Sequence, residues 1–206
     1  MSKKEYELRL CDTFLLAFSL ETKCAGVLSA EITYTEDSKR NLFPIGLEIA
    51  SEGILDWLNR RIIPDGRDYK NEILNALNVK SNAVQEIIDL SFGLSLNDSY
   101  WVVPAKSNKR FCNYNFFENE FNTEISTVAL TGSAESEVPQ NPSPELATNG
   151  MLRKAWRRAE DNKIFLYKGG SQGFANTGNE PYNEYYAAQI AKAMKIACVD
   201  YDLETW

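Results

Sequence analysis

The segment from residue 151 to residue 203 constrains the fold of this chain most, because its extended and helical patterns are clear and follow each other in a fixed order. Residues 151–158 and 164–168 are predicted as two strands joined by a polar turn at residues 160–162. A glycine-rich loop over residues 169–178 leads to a helix predicted over residues 181–195, and residues 198–203 predict a further strand. The order is therefore strand, strand, loop, helix, strand.

The predicted helix carries a large apolar side chain at every fourth position. These residues are Tyr182, Tyr186, Ile190 and Met194, and Pro181 suits the first turn that precedes them. A spacing of four places such residues along one face of a helix. We expect this face to pack into the core.

The first 130 residues predict a mixture of strands and helices. Tyr6, Leu8 and Leu10 alternate with charged residues, which is the pattern of a half-buried strand. Further strands are predicted over residues 14–20 and 27–34 and after a turn at residues 97–98, and a short helix or turn on the core over residues 115–121. Helices are predicted over residues 51–61 (with Ser51 as N-cap), 68–77 and 82–90.

Residues 131–147 differ in composition from both flanks. Proline, glycine, serine and glutamate cluster there and apolar residues nearly vanish, which favours a linker or flexible loop. We therefore predict an α+β architecture with an N-terminal subdomain over residues 1–130, this linker, and a second unit over residues 148–206.

Composition excludes several classes of function. The net charge of −7 disfavours direct binding to nucleic acid or to an anionic membrane surface. The chain has no histidine, which removes Ser-His-Asp and Cys-His catalysis and the usual zinc sites. Its four cysteines are widely spaced without a CxxC pair, and no run approaches the roughly 20 apolar residues of a membrane span. We expect a cytoplasmic protein.

The order of the C-terminal elements is that of a protein-kinase N-lobe, in which a strand lysine holds phosphates and a helix glutamate anchors the lysine. Lys168 ends the second predicted strand, and Glu184 follows 16 residues later in the helix. The preceding hairpin supplies Gly150, where backbone can approach a phosphate closely, and Lys154. These four residues are the candidate nucleotide-binding site.

The same residues also have ordinary explanations. A lysine before two glycines is typical of a solvated turn, and a glutamate early in a helix complements the helix dipole. The glycines at 169, 170, 173 and 178 form neither a dinucleotide fingerprint nor a Walker-type loop. A small-molecule or nucleotide binder unrelated to kinases therefore stays open at this point.

Several blocks, in the same order, resemble the N-terminal part of HipA-like serine/threonine kinases, a bacterial group related to the cell-translocating kinases. The resemblance covers residues 42–203, and GLSLND and EPYNEYY are its most specific parts. The blocks are LNRRIIPDGR (58–67), GLSLNDSYW (93–101), NFFENEF (115–121), TNGMLRKAW (148–156), LYKGG (166–170) and EPYNEYYA (180–187).

The resemblance implies a HipA-type N-lobe with an additional N-terminal α+β subdomain and no C-lobe. It implies that Lys168 holds nucleotide phosphates, that Glu184 anchors it, and that Gly150 and Lys154 lie in the phosphate-covering loop. ATP and magnesium are the cofactors of the family, but its catalytic base and magnesium-binding aspartates follow the part matched here. We expect no catalysis by this chain alone.

Two biological roles remain open under this resemblance. The chain is either the front part of a kinase, with a kinase C-lobe as its partner, or a standalone regulatory, antitoxin-like protein. The second kind would lack activity and dock on a HipA-type kinase core.

Overall fold

Residues 3–22, 28–80, 84–134, 136–172 and 178–206 are described by the computed structural model, which shows an α+β protein with antiparallel sheets. The strands are β1 (Lys3–Leu10), β2 (Thr13–Thr22), β3 (Leu28–Thr35), β4 (Tyr100–Pro104), β5 (Lys154–Arg158) and β6 (Ile164–Lys168). The α-helices are α1 (Ser51–Asn59), α2 (Lys70–Ala76), α3 (Val84–Ser91), α4 (Thr123–Thr131) and α5 (Glu180–Ala193). Within those residues, no helix is long and apolar enough to cross a membrane.

The first sheet has four antiparallel strands in the order β3-β2-β1-β4. The predicted alternation in β1 is confirmed, because Tyr6 and Leu8 are fully buried between exposed or half-exposed neighbours. β2 lies between β1 and β3, and its continuous apolar run buries Leu15, Leu16 and Phe18. Helices α1 and α3 cover this sheet with Ile54, Leu58 and Ile88.

The predicted helices of the N-terminal part form with small changes at their ends. Ser51 is the first residue of α1, and the N-cap is Ala50, which makes no side-chain capping bond, so the prediction of Ser51 as N-cap was wrong. α2 begins at Lys70, after Tyr69 adopts a left-handed conformation with φ of 60°. The predicted starts at Val27 and Asn82 lie outside the described residues.

Helix α4 was not predicted. The Asn122 side chain caps it by accepting a hydrogen bond from the Ile125 amide, and Gly132 ends it with φ of 82°. Its buried residues Ile125, Val128 and Ala129 form a second core with α2, α3 and Leu146. This helix is the surface on which the C-terminal hairpin packs.

The proline-rich segment predicted as a linker lacks regular secondary structure over most of its length, but its end is buried. Residues Pro144–Ala147 form a 3₁₀ turn. The side chains of Ser143, Glu145 and Leu146 have no exposed surface. This part of the segment is therefore a component of the core and not a flexible connection.

Strands β5 and β6 form a two-stranded antiparallel hairpin, with Lys154 opposite Lys168 at its open end. β6 has its predicted bounds, whereas β5 begins at Lys154 and not at residue 151. Asn162 lies in the connecting turn with φ of 64°. The hairpin packs on α4 and on an aromatic cluster that includes Trp101, Phe111 and Phe116.

Two predictions for the C-terminal segment were wrong. Residues 198–203 do not form a strand; residues 196–206 have no regular secondary structure. The apolar stripe of α5 is not core, because Tyr182, Tyr186, Ile190 and Met194 are 51–65% exposed. Only Ala188 of this helix is buried. Helix α5 therefore contacts the rest of the protein along a narrow strip and exposes its large apolar side chains to solvent.

Candidate functional site

Lys168 and Glu184, two of the candidate nucleotide-binding residues, form an ion pair. Lys168 is the last residue of β6, Glu184 lies in the second turn of α5, and Lys168 Nζ is 2.7 Å from Glu184 Oε2. Burial alone would lower the pKa of Lys168, but hydrogen bonds with Glu184 and with Tyr201 outweigh burial and hold this pKa above its ordinary value. The lysine is therefore charged and held in position at neutral pH.

Lys154 lies opposite Lys168 and has a different environment. The residue is 9% exposed, and its ammonium group donates one hydrogen bond, to the backbone carbonyl of Asn149 at 2.9 Å. No carboxylate pairs with it among the described residues. Burial, followed by the charges of Arg67 and Lys168, lowers the pKa of Lys154. A buried ammonium without a counterion has electrostatic capacity for an anion.

Gly150 lies beside Lys154 with φ of +94°, a conformation that L side chains rarely adopt. A Cβ atom at this position would collide with the Lys154 ammonium group. Glycine therefore permits the turn and also leaves the space into which Lys154 extends. The structure thus brings together all four predicted site residues at the open end of the hairpin and the start of α5.

Three of these residues, Lys154, Lys168 and Glu184, line a cleft of about 210 Å³ between the hairpin and α5, and Gly150 lies beside it. The other lining residues are Met151, Leu152, Gly169, Glu180 and Pro181. The Glu180 carboxylate accepts hydrogen bonds from the Ser171 hydroxyl and from the Ser171 backbone amide, the latter at 3.0 Å. These bonds lower the pKa of Glu180. The N-terminus of α5 faces the same cleft, and helix N-termini favour anions.

The loop after β6 is closed by glycine packing. A Cβ atom on Gly170 would overlap the backbone of Gly178, so the loop can return close to its start only with glycine there. Gly173, which belongs to the predicted glycine-rich loop, lies outside the described residues.

A buried polar network that the sequence analysis missed supports the hairpin from behind. Glu145 accepts hydrogen bonds from the Trp156 amide at 2.8 Å and from the Ser126 hydroxyl at 3.0 Å, and the Ser143 hydroxyl also donates to it. Burial raises the pKa of Glu145. These bonds attach β5 to α4 and fix the strand that carries Lys154.

Arg67 holds the same strand from the side of α2. Its guanidinium donates to the backbone carbonyls of Lys154 at 2.7 Å, Thr148 at 2.9 Å and Glu145 at 3.2 Å. Burial lowers the pKa of Arg67 to about 10. Arg67 is the last residue of the LNRRIIPDGR block. Its hydrogen bond with the Thr148 carbonyl therefore connects that block to the loop that carries Gly150.

Other blocks of the resemblance also meet in space. Arg61 makes a bidentate pair with Asp98 of the GLSLNDSYW block, at 2.7 and 2.9 Å, and stacks 4.4 Å above the Trp57 ring. The Asn115 side chain of the NFFENEF block accepts hydrogen bonds from the backbone amides of Phe117 and Glu118. These residues shape the N-terminal part and do not line the cleft.

The C-terminal tail, defined here as residues 197–206, lies against the hairpin. Tyr201 Oη is 3.3 Å from Lys168 Nζ, and Tyr167 Oη donates to Glu204 at 2.9 Å. The Trp206 ring stacks on the Arg157 guanidinium at 3.7 Å from the ring centroid. Leu203 and Trp206 keep 45% and 38% of their surface exposed.

In the described part of the chain, no three His, Cys, Asp or Glu side chains form a group that could hold a metal ion. No family model matches the sequence, and neither the curated proteins nor the solved structures include a match to it.

Proposed function

We propose that these 206 residues form the nucleotide-binding front part of a HipA-like serine/threonine kinase, with a kinase-like N-lobe over residues 148–206. The observation that carries the proposal is the ion pair between Lys168 and Glu184 at the edge of a cleft that also contains Lys154. The resemblance of six sequence blocks supports the same class.

The cleft is suited to phosphate. Lys168 has three N–H donors, of which Glu184 and Tyr201 take two, while Lys154 uses one of its three in its bond with Asn149. Fixing a lysine in advance reduces the rotamer entropy, about 2 kcal/mol, that a free side chain would lose on binding. The site therefore offers preorganised donors and an excess of positive charge.

The size of the cleft indicates which part of a nucleotide it holds. A volume of about 210 Å³ is smaller than the roughly 300–1,000 Å³ of pockets that enclose a whole small molecule. It matches a phosphate chain whose base and ribose lie against a second surface. In a kinase, that surface belongs to the C-lobe, which would also supply the magnesium ligands and the catalytic base.

We therefore propose that this part binds ATP without transferring its phosphate, and that it acts in the cytoplasm. Phosphoryl transfer needs the metal and the base to be positioned together with the nucleotide. The lysine and glutamate of this cleft hold the nucleotide only.

A second function is favoured by α5. Its exposed face carries Tyr182, Tyr186, Ile190 and Met194, with alanines beside them, over more than three turns. A contiguous apolar surface of this kind is typical of an interaction site. The alternative proposal is therefore a non-catalytic, antitoxin-like regulator that docks this face on a HipA-type kinase core.

The test of the nucleotide site is calorimetric titration with Mg-ATP. We expect the wild-type chain to bind and Lys168→Ala to bind at least tenfold more weakly, since a hydrogen bond to a charged group contributes about 1.5–3 kcal/mol. Lys163→Ala is the matched control, because Lys163 is an exposed lysine in the turn of the same hairpin. Equal binding by both variants, or no binding by the wild type, would contradict the proposal.

The docking alternative has its own test. A purified HipA-type kinase core should bind the wild-type chain and lose binding to Ile190→Glu, whatever the outcome with ATP. Binding that is indifferent to this substitution would remove α5 as the docking surface.

A further inference from the structure

The C-terminal tail is attached to the hairpin by side chains. In the described part of the chain, no backbone hydrogen bond joins residues 197–206 to another segment. The attachment to the hairpin includes Trp206 on Arg157 and Tyr167, Glu204 with Tyr167, and Tyr201 with Lys168. At its beginning, Asp200 forms an exposed ion pair with Lys192 at the end of α5.

Tyr201 approaches Lys168 from outside the cleft. Its hydroxyl oxygen is 3.3 Å from Lys168 Nζ, and the ammonium lies 5.2 Å from the centre of its ring. Tyr201 is absent from the residues that line the cleft, whereas Lys168 and Glu184 are among them. A ligand in the cleft can therefore meet Lys168 without displacing Tyr201.

The contacts of Glu184 and Tyr201 restrict the orientation of the Lys168 ammonium group. Glu184 takes one N–H of Lys168 and Tyr201 takes a second, which leaves one donor. With two partners fixed, Glu184 in the cleft wall and Tyr201 outside it, rotation about the terminal bond is restricted, and the third N–H is directed away from both partners. Both contacts also favour the charged form of the lysine.

We propose that Tyr201 is a positioning residue for Lys168, and that the C-terminal tail is a latch that keeps it there. The inference rests on the proposed nucleotide site and adds to it a residue that is remote in sequence. Trp206 anchors the latch through its cation–π contact with Arg157 and its edge-on contact with Tyr167 at 5.2 Å. Residues that touch no ligand thereby set the affinity of the cleft.

Tyr201→Phe tests this inference, because it removes one hydroxyl and keeps the ring. We expect the dissociation constant for Mg-ATP, measured by calorimetry on the full chain, to rise about fivefold, in line with the loss of one hydrogen bond. The urea midpoint of unfolding should stay unchanged, since this contact is partly exposed. Tyr34→Phe, an exposed tyrosine on β3, is the matched control and should leave both quantities unchanged.

A spectroscopic readout separates positioning from folding. The ammonium ¹H–¹⁵N signal of Lys168, assigned by its loss in Lys168→Arg, should be visible in the wild type and broadened in Tyr201→Phe. Trp206→Ala, which releases the anchor of the latch without touching Lys168, should reproduce part of both effects.

The outcomes distinguish the two proposals. If the wild type binds ATP and Tyr201→Phe binds equally well with an unchanged ammonium signal, the latch is overturned and the nucleotide site stands. If the wild type does not bind ATP, the nucleotide site is overturned and the latch with it. Weaker binding with a broadened signal and an unchanged urea midpoint supports the latch.

Discussion

Lys154 and Lys168 are direct cross-strand partners at the open end of the β5–β6 hairpin, and both line the same cleft. Like charges placed opposite each other destabilise a pair of strands. Here only Lys168 has a carboxylate partner among the described residues, which leaves Lys154 as a buried charge beside a second positive charge. The repulsion between the two lysines destabilises the free protein. An anion placed between the two ammonium groups would reduce this repulsion.

Replacement of Lys154 by an uncharged residue should therefore increase the free energy of unfolding and weaken the binding of Mg-ATP. Lys154→Met keeps the length of the side chain and removes its charge, so the free energy of unfolding should increase by about 1 kcal/mol at neutral pH. The same variant should bind Mg-ATP several-fold more weakly. Urea unfolding and calorimetry measure the two effects, and a less stable variant would contradict the assignment of Lys154 as an uncompensated charge.

The pH dependence of that difference provides a second check. Because burial lowers the pKa of Lys154, the folded protein releases this proton at a lower pH than the unfolded chain does. The free energy of unfolding of the wild type should then rise as the pH approaches the ordinary lysine pKa of 10.5. The rise attributable to this group should be missing in Lys154→Met, so the two stability curves converge at alkaline pH.

Glu145 should make stability depend on pH in the acidic range. Burial raises the pKa of its carboxyl group, so the folded state holds this proton more tightly than the unfolded chain does. Its contribution is fully present below the ordinary pKa of 4.5 and is lost as the pH rises through the higher folded-state pKa. Glu145→Gln retains the acceptor for Trp156 and Ser126 and should flatten this part of the profile.

Loss of the hydrogen bonds of Glu145 should be more damaging than loss of its charge. Glu145→Ala leaves the amide of Trp156 without its acceptor in a buried site, and we expect a decrease of about 3 kcal/mol in the free energy of unfolding. Glu160→Gln, in the exposed hairpin turn, is the control for both Glu145 variants. A profile for Glu145→Gln that matches the wild type would show that another group carries the pH dependence.

The pair between Arg61 and Asp98 should be essential to the N-terminal part. The Arg61 side chain is 8% exposed, so Asp98→Ala leaves a guanidinium buried without its carboxylate. Because Asp98 itself is one-third exposed, we expect a cost of about 2 kcal/mol, below that of a fully buried pair. Asp37→Ala breaks the exposed pair with Arg40 and should change stability by less than about 0.5 kcal/mol in the same urea assay.

The exposed face of α5 should tolerate a charge. Ile190 is 61% exposed, so Ile190→Glu should change the free energy of unfolding by less than about 0.5 kcal/mol and reduce retention on a hydrophobic interaction column. Ala188→Glu, on the buried side of the same helix, should unfold the segment. Strong destabilisation by Ile190→Glu would show that the face is covered in solution.

The parts of the fold that were predictable are those decided by local pattern. β1, β2 and β6 follow alternation or a continuous apolar run. The contact between Lys168 and Glu184 agrees with the kinase-like order of strand, loop and helix, although their spacing alone is equally compatible with a solvated turn and a helix-dipole glutamate. Helix α4 had a local signal as well, an Asn122 cap and a glycine at its end, but its many β-branched residues have low helix propensity.

The parts that were not predictable depend on distant partners. Glu145 lies in a segment whose composition is that of a linker, and it is buried because Ser126 and Trp156 satisfy its carboxylate. Periodicity identifies the apolar face of α5 but not what covers it, and the described structure leaves that face open. The contact of Tyr201 with Lys168 joins residues 33 apart, which no local pattern encodes.

The network around Glu145 has a consequence for natural variation. Its carboxylate is satisfied by hydroxyl groups of Ser126 and Ser143, one from a helix and one from a turn 17 positions later in the chain. Replacing Ser143 alone leaves one carboxylate oxygen without its donor, and replacing Glu145 alone leaves the Ser143 hydroxyl and the Trp156 amide without their acceptor. The Ser126 hydroxyl keeps the carbonyls of Asn122 and Trp156 as acceptors in either case. Among sequences that share this fold, positions 143 and 145 should therefore covary, and position 126 should vary more freely.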